Sequence, residues 1–118
     1  MNARTTALSA LIAIRRQNAW ADGALKEYIA RDRLSRRDAA LAARLVYGVV
    51  QNRLLLDFDL AQVVSSPLAK LQPVVLDILR LGAYQILFLD KIPVSAAVNE
   101  AVEQTKTYAN KRAARLVN

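Results

Sequence analysis

Apolar positions recur along this chain at intervals of three and four residues, the spacing of one face of an α-helix. Ala7, Leu8, Leu11, Ile12 and Ile14 form the first such stripe and predict a helix over about residues 4–18. Arg4 and Arg15 fall in line with that stripe, where long side chains reach water from the helix ends, and Arg16 lies to one side. "ADG" at 21–23 reads as the end of this segment, followed by a short helix with Leu25, Tyr28 and Ile29. "LSRRD" at 34–38 is a start signal: Ser35 caps the next helix, and Asp38 stands three residues on as an acidic capping-box partner. The face beyond it carries Leu41, Leu45, Gly48, Val49, Asn52 and Leu56, with a bend expected near 52–53. A helical glycine costs about 1 kcal/mol against alanine. Gly48, in the middle of an apolar face, therefore predicts the close approach of another helix.

"SSP" at 65–67 breaks the pattern, with Ser66 as a cap and Pro67 at a first helical position. Pro73 restarts the chain in the same way and opens 74–89, a helix apolar nearly all round. Such a helix is expected to be buried on every side and to be the central element. "DKIP" at 90–93 ends it, and Ser95 and its neighbours open the next helix, with Val94, Val98, Ala101, Val102 and Thr105 as its buried face. The last segment, "NKRAARLVN" at 110–118, starts a basic amphipathic pattern with no terminating signal, which predicts a piece of a longer chain. Glycine is scarce and no hairpin signal such as Asn-Gly appears. The expected fold is all-α, a single domain of about six or seven helices.

Three residues of the apolar helix do not suit a core: Arg80, Gly82 and Gln85. Gly82 reads like Gly48, as a smooth spot for close helix packing. A buried guanidinium needs a partner. Glu100, on the next helix, is the first choice, and Asp77, one turn earlier, is the local alternative. Gln85 and Asn99 can hydrogen-bond the backbone at helix ends or across the helix pair. Two readings stand: a polar clamp that fixes helix register, or a ligand contact through Arg80 or Glu100. A carboxylate held ionised beside an arginine is a poor proton donor at neutral pH, which favours the clamp over catalysis.

Composition narrows the chemistry. The 118 residues suggest one domain, and neither cysteine nor histidine is present. That removes disulfides, thiolate ligands, the cysteine nucleophile, the usual general base and the commonest metal ligand. No phosphate-cradling glycine loop, metal-ligand cluster or Ser/His/Asp set occurs, so the chain reads as a non-enzyme that holds neither metal nor cofactor. Its 17 basic residues, mostly arginine, outweigh 10 acidic ones for a net charge of +7. This balance favours an anionic partner, and arginine's bidentate grip on phosphate and stacking on bases favour RNA, although a solvated basic surface has the same composition. Candidate phosphate contacts are Arg4, Arg15 and Arg16 on the first helix, with Lys106, Lys111, Arg112 and Arg115 near the C-terminus. No signal-peptide pattern is present, and the apolar stretch 74–89 is shorter than the roughly 20 residues a bilayer span needs. The expected setting is the cytoplasm, away from membranes.

Three segments carry a resemblance to a known family: "RRDAALAARLVYGVVQNRLLLD" (36–57), "LDILRLGAYQILFLDKIPVSAAVNEAVEQTK" (76–106) and the terminal "AARLVN". They resemble the NusB-type RNA-binding domain, above all the version at the N-terminus of the ribosomal RNA small-subunit methyltransferase B (Sun) family. The transcription antitermination factor NusB is a more distant relative. The likeness covers nearly the whole chain and is weakest over 18–34. It implies an all-helical fold of two packed subbundles that helps hold RNA. In that family, a cytosine-5 methyltransferase domain that binds S-adenosylmethionine and supplies cysteine nucleophiles follows downstream. Small-subunit ribosomal RNA and that downstream domain are the partners it implies. Of the arginine-rich N-terminal segment through which NusB binds RNA, Arg4 alone matches, and Lys106 matches the lysine after "NEAV". Two alternatives stay open: a free-standing antitermination factor that binds RNA and a protein, and a docking domain that touches no RNA.

Overall fold

A computed structural model describes residues 2–89 and 93–109, and it divides the chain into two compact units, Met1–Gln51 and Asn52–Asn118. Among the described residues there are six α-helices, one 3-10 turn and no strand.

The first unit holds α1 (Ala3–Gln17), α2 (Ala21–Asp32) and α3 (Arg36–Gln51). Asn2 caps α1, its Oδ1 accepting from the Thr5 amide at 2.9 Å. Asn18 ends α1 in the left-handed region (φ 53°), a conformation asparagine tolerates better than most residues. This is the true break. "ADG" opens α2 rather than closing α1, since Gly23 lies in the first turn and no glycine has positive φ. α2 ends on Arg33 (φ 52°), whose amide donates to the Ala30 carbonyl while Leu34 donates to Ile29, both at 3.3 Å, a Schellman closure. Ser35 caps α3 as expected, its Oγ accepting from the Asp38 amide at 3.1 Å. The core of the unit is Ala7, Leu8, Ala10 and Leu11 on α1, Ala24 and Leu25 on α2, and Ala42, Leu45, Val46 and Val49 on α3, with Gly48 buried on that same helix.

A polar lock joins α2 to α1. Thr6 donates its hydroxyl to Asp32 at 2.7 Å, and Arg31 forks onto the same carboxylate at 2.8 and 3.0 Å. Arg31 also reaches Ser9 at 3.2 Å and lies 4.5 Å above the Tyr28 ring, a cation–π contact.

The second unit holds α4 (Arg53–Val63), the 3-10 turn (Leu68–Lys70), α5 (Pro73–Phe88) and α6 (Val94–Tyr108). The expected bend falls at Asn52 (φ −107°, ψ 17°). Pro67 introduces only the single 3-10 turn, whereas Pro73 takes the first position of α5. α5 packs against both α4 and α6. Its buried positions are Val75, Asp77, Ile78, Leu81, Gly82, Tyr84 and Gln85. Ile86, Leu87 and Phe88 are 38–51% exposed, which corrects the expectation of burial on every side: two neighbours cover the helix and leave its C-terminal apolar residues open. α6 begins after Pro93, with Ser95 in its first turn as expected, but Val94 is exposed. Ala97, Ala101, Gln104 and Thr105 form its buried face. The segment 110–118 lies outside the described residues.

Candidate nucleic-acid interface

Charge is distributed unequally between the units. Residues 1–51 carry nine basic side chains against four acidic ones, so five of the seven net positive charges belong to the first unit. Arg16, Arg33, Arg36, Arg37 and Arg44 are exposed there, and none forms an ion pair among the described residues. Arg37 and Arg44 stand two turns apart on α3 and share one stripe of the helix. Arg36 and Arg37 also occupy the first turn of α3, where the helix dipole opposes positive charge. Local stability does not account for these two cations.

The structure sorts the candidate contacts. Arg4 and Arg15 are half-buried on α1, in line with the apolar stripe, and Arg16 is exposed in the last turn beside it. Lys106 is exposed on α6 and pairs with Glu103 at 3.4 Å, so its charge is partly met within its own helix. Lys111, Arg112 and Arg115 lie outside the described residues. The exposed Arg33, Arg36 and Arg37 at the α2–α3 turn, with Arg44 further along α3, were visible in sequence only as charge.

The same end of α1 that bears Arg16 leads into Trp20, which is 87% exposed. Across this end, the Tyr47 hydroxyl on α3 donates to the carboxylate of Asp22 on α2. That bond raises the phenol's pKa by stabilising its protonated form, with burial and the nearby negative charge adding to the shift.

In the second unit the polar clamp exists, with a different partner. Arg80 Nε and Nη2 donate to Asp57 Oδ1 and Oδ2 at 2.7 and 2.9 Å, a bidentate fork from α5 to α4. Asp77 stands 3.9 Å from the same guanidinium. Glu100 is not on Arg80, which corrects the first choice made from sequence; Asp77, the local alternative, is near it. The fork occupies Arg80 in helix packing. Gln85 is buried and donates to the Leu81 carbonyl one turn back at 3.1 Å, whereas Asn99 is exposed and takes no part in the clamp. Gly82 faces α6 less tightly than expected: a Cβ there would stand 3.9 Å from the Ala101 Cβ, an ordinary van der Waals distance. Beside it runs an apolar groove of about 680 Å³, lined from α4, α5 and α6 by residues that include Val63, Ile78, Ile86, Leu87, Ala97 and Val98. Leu54 and Phe58, also on α4, are 81% and 65% exposed. No group of three metal-ligating side chains occurs among the described residues, and no described helix is long and apolar enough to cross a membrane.

A sequence model of the NusB family matches residues 1–118. The chain belongs to the NusB family. This NusB-family chain is 40% identical over 115 residues to the probable ribosomal RNA small subunit methyltransferase B of Bacillus subtilis (strain 168), covering 98% of the chain and 26% of that relative. It is 35% identical over 118 residues to the probable methyltransferase B of Synechocystis sp., again across 26% of that protein. Against the transcription antitermination protein NusB of Ruminiclostridium cellulolyticum, it is 32% identical over 116 residues, covering 98% of the chain and 80% of that relative. The NusB-family chain thus spans about a quarter of the length of the methyltransferase relatives it matches. A chain in the crystal structure of a plectonemic RNA supercoil superposes with a TM-score of 0.85 at 24% identity, over 98% of this chain and 85% of that one. That likeness shows the shared all-helical fold.

Proposed function

We propose that this NusB-family domain binds RNA through its first unit. Within a longer protein it would position small-subunit ribosomal RNA for an S-adenosylmethionine-dependent cytosine-5 methyltransferase region. The observation that carries the reading is the charge of residues 1–51, +5, with exposed arginines on α1 and α3 that form no ion pair among the described residues. The exposed Arg16, Arg37 and Arg44 would take phosphate oxygens, joined by the half-buried Arg4 and Arg15 of α1. Such contacts position a strand and carry no base information themselves. The domain's part is non-catalytic: it orients the substrate, while the cofactor and the nucleophile belong to the further region. The methyltransferase setting is preferred over free-standing antitermination because those relatives keep 35–40% identity over 98–100% of the chain, whereas antitermination relatives with 37–40% identity match 67–72% of it and the one that matches 98% has 32%. The cytoplasm is the compartment that fits this role.

The test is a binding series on the 118-residue chain with single-stranded segments of small-subunit ribosomal RNA. Arg16→Ala, Arg37→Ala and Arg44→Ala are expected to weaken binding alike for all sequences. Each should also flatten the dependence of log K on log salt by about 0.7. Unchanged affinity and slope in all three would remove the first unit from the interface.

A second reading is favoured by one observation, the apolar groove on the second unit, lined by Val63, Ile78, Ile86, Leu87, Ala97 and Val98. Exposed apolar surface of this kind marks an interaction site. Here it would seat part of the methyltransferase region of the longer protein. The two readings are compatible, since they use different units.

A further inference from the structure

Trp20 is the chain's single tryptophan, and it stands 87% exposed. Tryptophan is highly buried on average in folded proteins, and an indole left in water forgoes its large apolar burial. Trp20 is nevertheless held in a defined place. It follows the left-handed Asn18 and forms the N-cap of α2, its carbonyl accepting from the Ala24 amide at 3.0 Å. Its neighbours along the chain are small or polar: Gln17, Asn18, Ala19, Ala21, Asp22 and Gly23. An apolar docking patch would surround the ring with further apolar side chains, and this stretch does not supply them.

The charges beside the ring are the second observation. Arg16, in the last turn of α1, is exposed and unpaired among the described residues. Three residues separate it from Trp20, a span of at most about 14 Å of chain. The one acidic residue of the turn, Asp22, accepts from Tyr47 and does not neutralise Arg16. A flat π surface beside an uncompensated guanidinium fits a nucleotide, whose base stacks while its phosphate meets the cation. It fits single-stranded RNA, whose bases are free to splay out, better than a duplex.

We infer that Trp20 is a base-stacking platform for single-stranded RNA, with Arg16 holding the adjoining phosphate. The inference rests on the RNA-binding reading above and adds to it a named stacking residue and a preference for unpaired strands. The α1–α2 turn then becomes one end of the RNA path.

Trp20 supplies its own probe, because indole emission from this chain comes from that residue alone. The full 118-residue chain is titrated with an unlabelled single-stranded oligouridylate of about ten nucleotides. The anisotropy of a labelled copy is followed in parallel, and an RNA duplex serves as comparison. Expected are quenching of Trp20 emission that saturates together with the anisotropy, and weaker binding of the duplex. Trp20→Ala is expected to lose about ten-fold in affinity with its salt slope and melting temperature unchanged, and Trp20→Phe to retain most of the affinity. Normal anisotropy binding with unchanged indole emission and a Trp20→Ala variant that binds like wild type would overturn the platform and leave the RNA-binding reading intact. No binding to any RNA at low salt would overturn both.

Discussion

The guanidinium of Arg80 on α5 forks onto the carboxylate of Asp57 on α4, Nε to Oδ1 at 2.7 Å and Nη2 to Oδ2 at 2.9 Å. The two side chains are 15% and 26% exposed, so the pair is neither in bulk water nor fully desolvated. A fork of this geometry fixes the register of one helix on the other. It predicts a coupling energy of about 1–3 kcal/mol between the two residues, intermediate between exposed and buried pairs. A double-mutant cycle of Arg80→Met and Asp57→Asn, read by urea unfolding, measures it. The same cycle with Glu100→Gln should show coupling near zero. Equal coupling to Glu100 would contradict the assigned partner.

Acid should loosen the first unit at Asp32. The Arg31 guanidinium holds this carboxyl below the ordinary carboxylate value, with the Thr6 hydroxyl assisting and burial opposing. A depressed folded-state pKa contributes stability that is complete above the unfolded value, about 3.9. That stability is lost as pH falls from there through the folded value. Asp32→Asn is therefore expected to lower stability at pH 7 and to flatten the acid limb of the stability profile. Denaturant melts between about pH 2 and 7 check this, and parallel profiles for variant and wild type would contradict it.

Two glycines should be improvable. Among the described residues, a Cβ at Gly23 meets nothing within 4 Å, and one at Gly82 meets Ala101 alone at 3.9 Å. Both glycines are helical and neither has positive φ. Gly23→Ala and Gly82→Ala should each stabilise by about 0.5–1 kcal/mol. Thermal melts decide, and a lowered melting temperature at Gly82 would restore the tight-packing account of that site.

Gly48 is expected to behave differently. It is buried on the face of α3 that carries Leu45 and Val49. Gly48→Leu should cost about 1–3 kcal/mol by overpacking. A variant that melts like wild type would show that the site has room.

Much of the fold was legible in the pattern of apolar positions, and the reasons for the exceptions are physical. Helical periodicity located α1, α3, α5 and α6, and the Ser35 cap and the bend at Asn52 fell where local signals put them. "ADG" misled because a glycine was taken as the breaker, when a left-handed asparagine five residues before that glycine stops the helix. The polarity of Arg80 announced a partner, but periodicity does not say whether the preceding or the following helix supplies it. Asp57, an acid inside the apolar run "LLLDF", was the overlooked mirror of a base inside an apolar helix. The exposure of Ile86, Leu87 and Phe88 was illegible, because an apolar helix looks the same whether its neighbours or a missing partner cover it. For the candidate interface, sequence gave the net charge and Arg16. The concentration of charge on the first unit and the exposure of Trp20 needed the structure.

The most direct measurement is the affinity of the 118-residue chain for a single-stranded segment of small-subunit ribosomal RNA at two salt concentrations, with duplex DNA as control. RNA-preferring binding is predicted, with log K falling against log salt at a slope of about −0.7 for each phosphate contacted. No binding at low salt, or binding indifferent to salt, would contradict the claim that the charge of the first unit serves RNA.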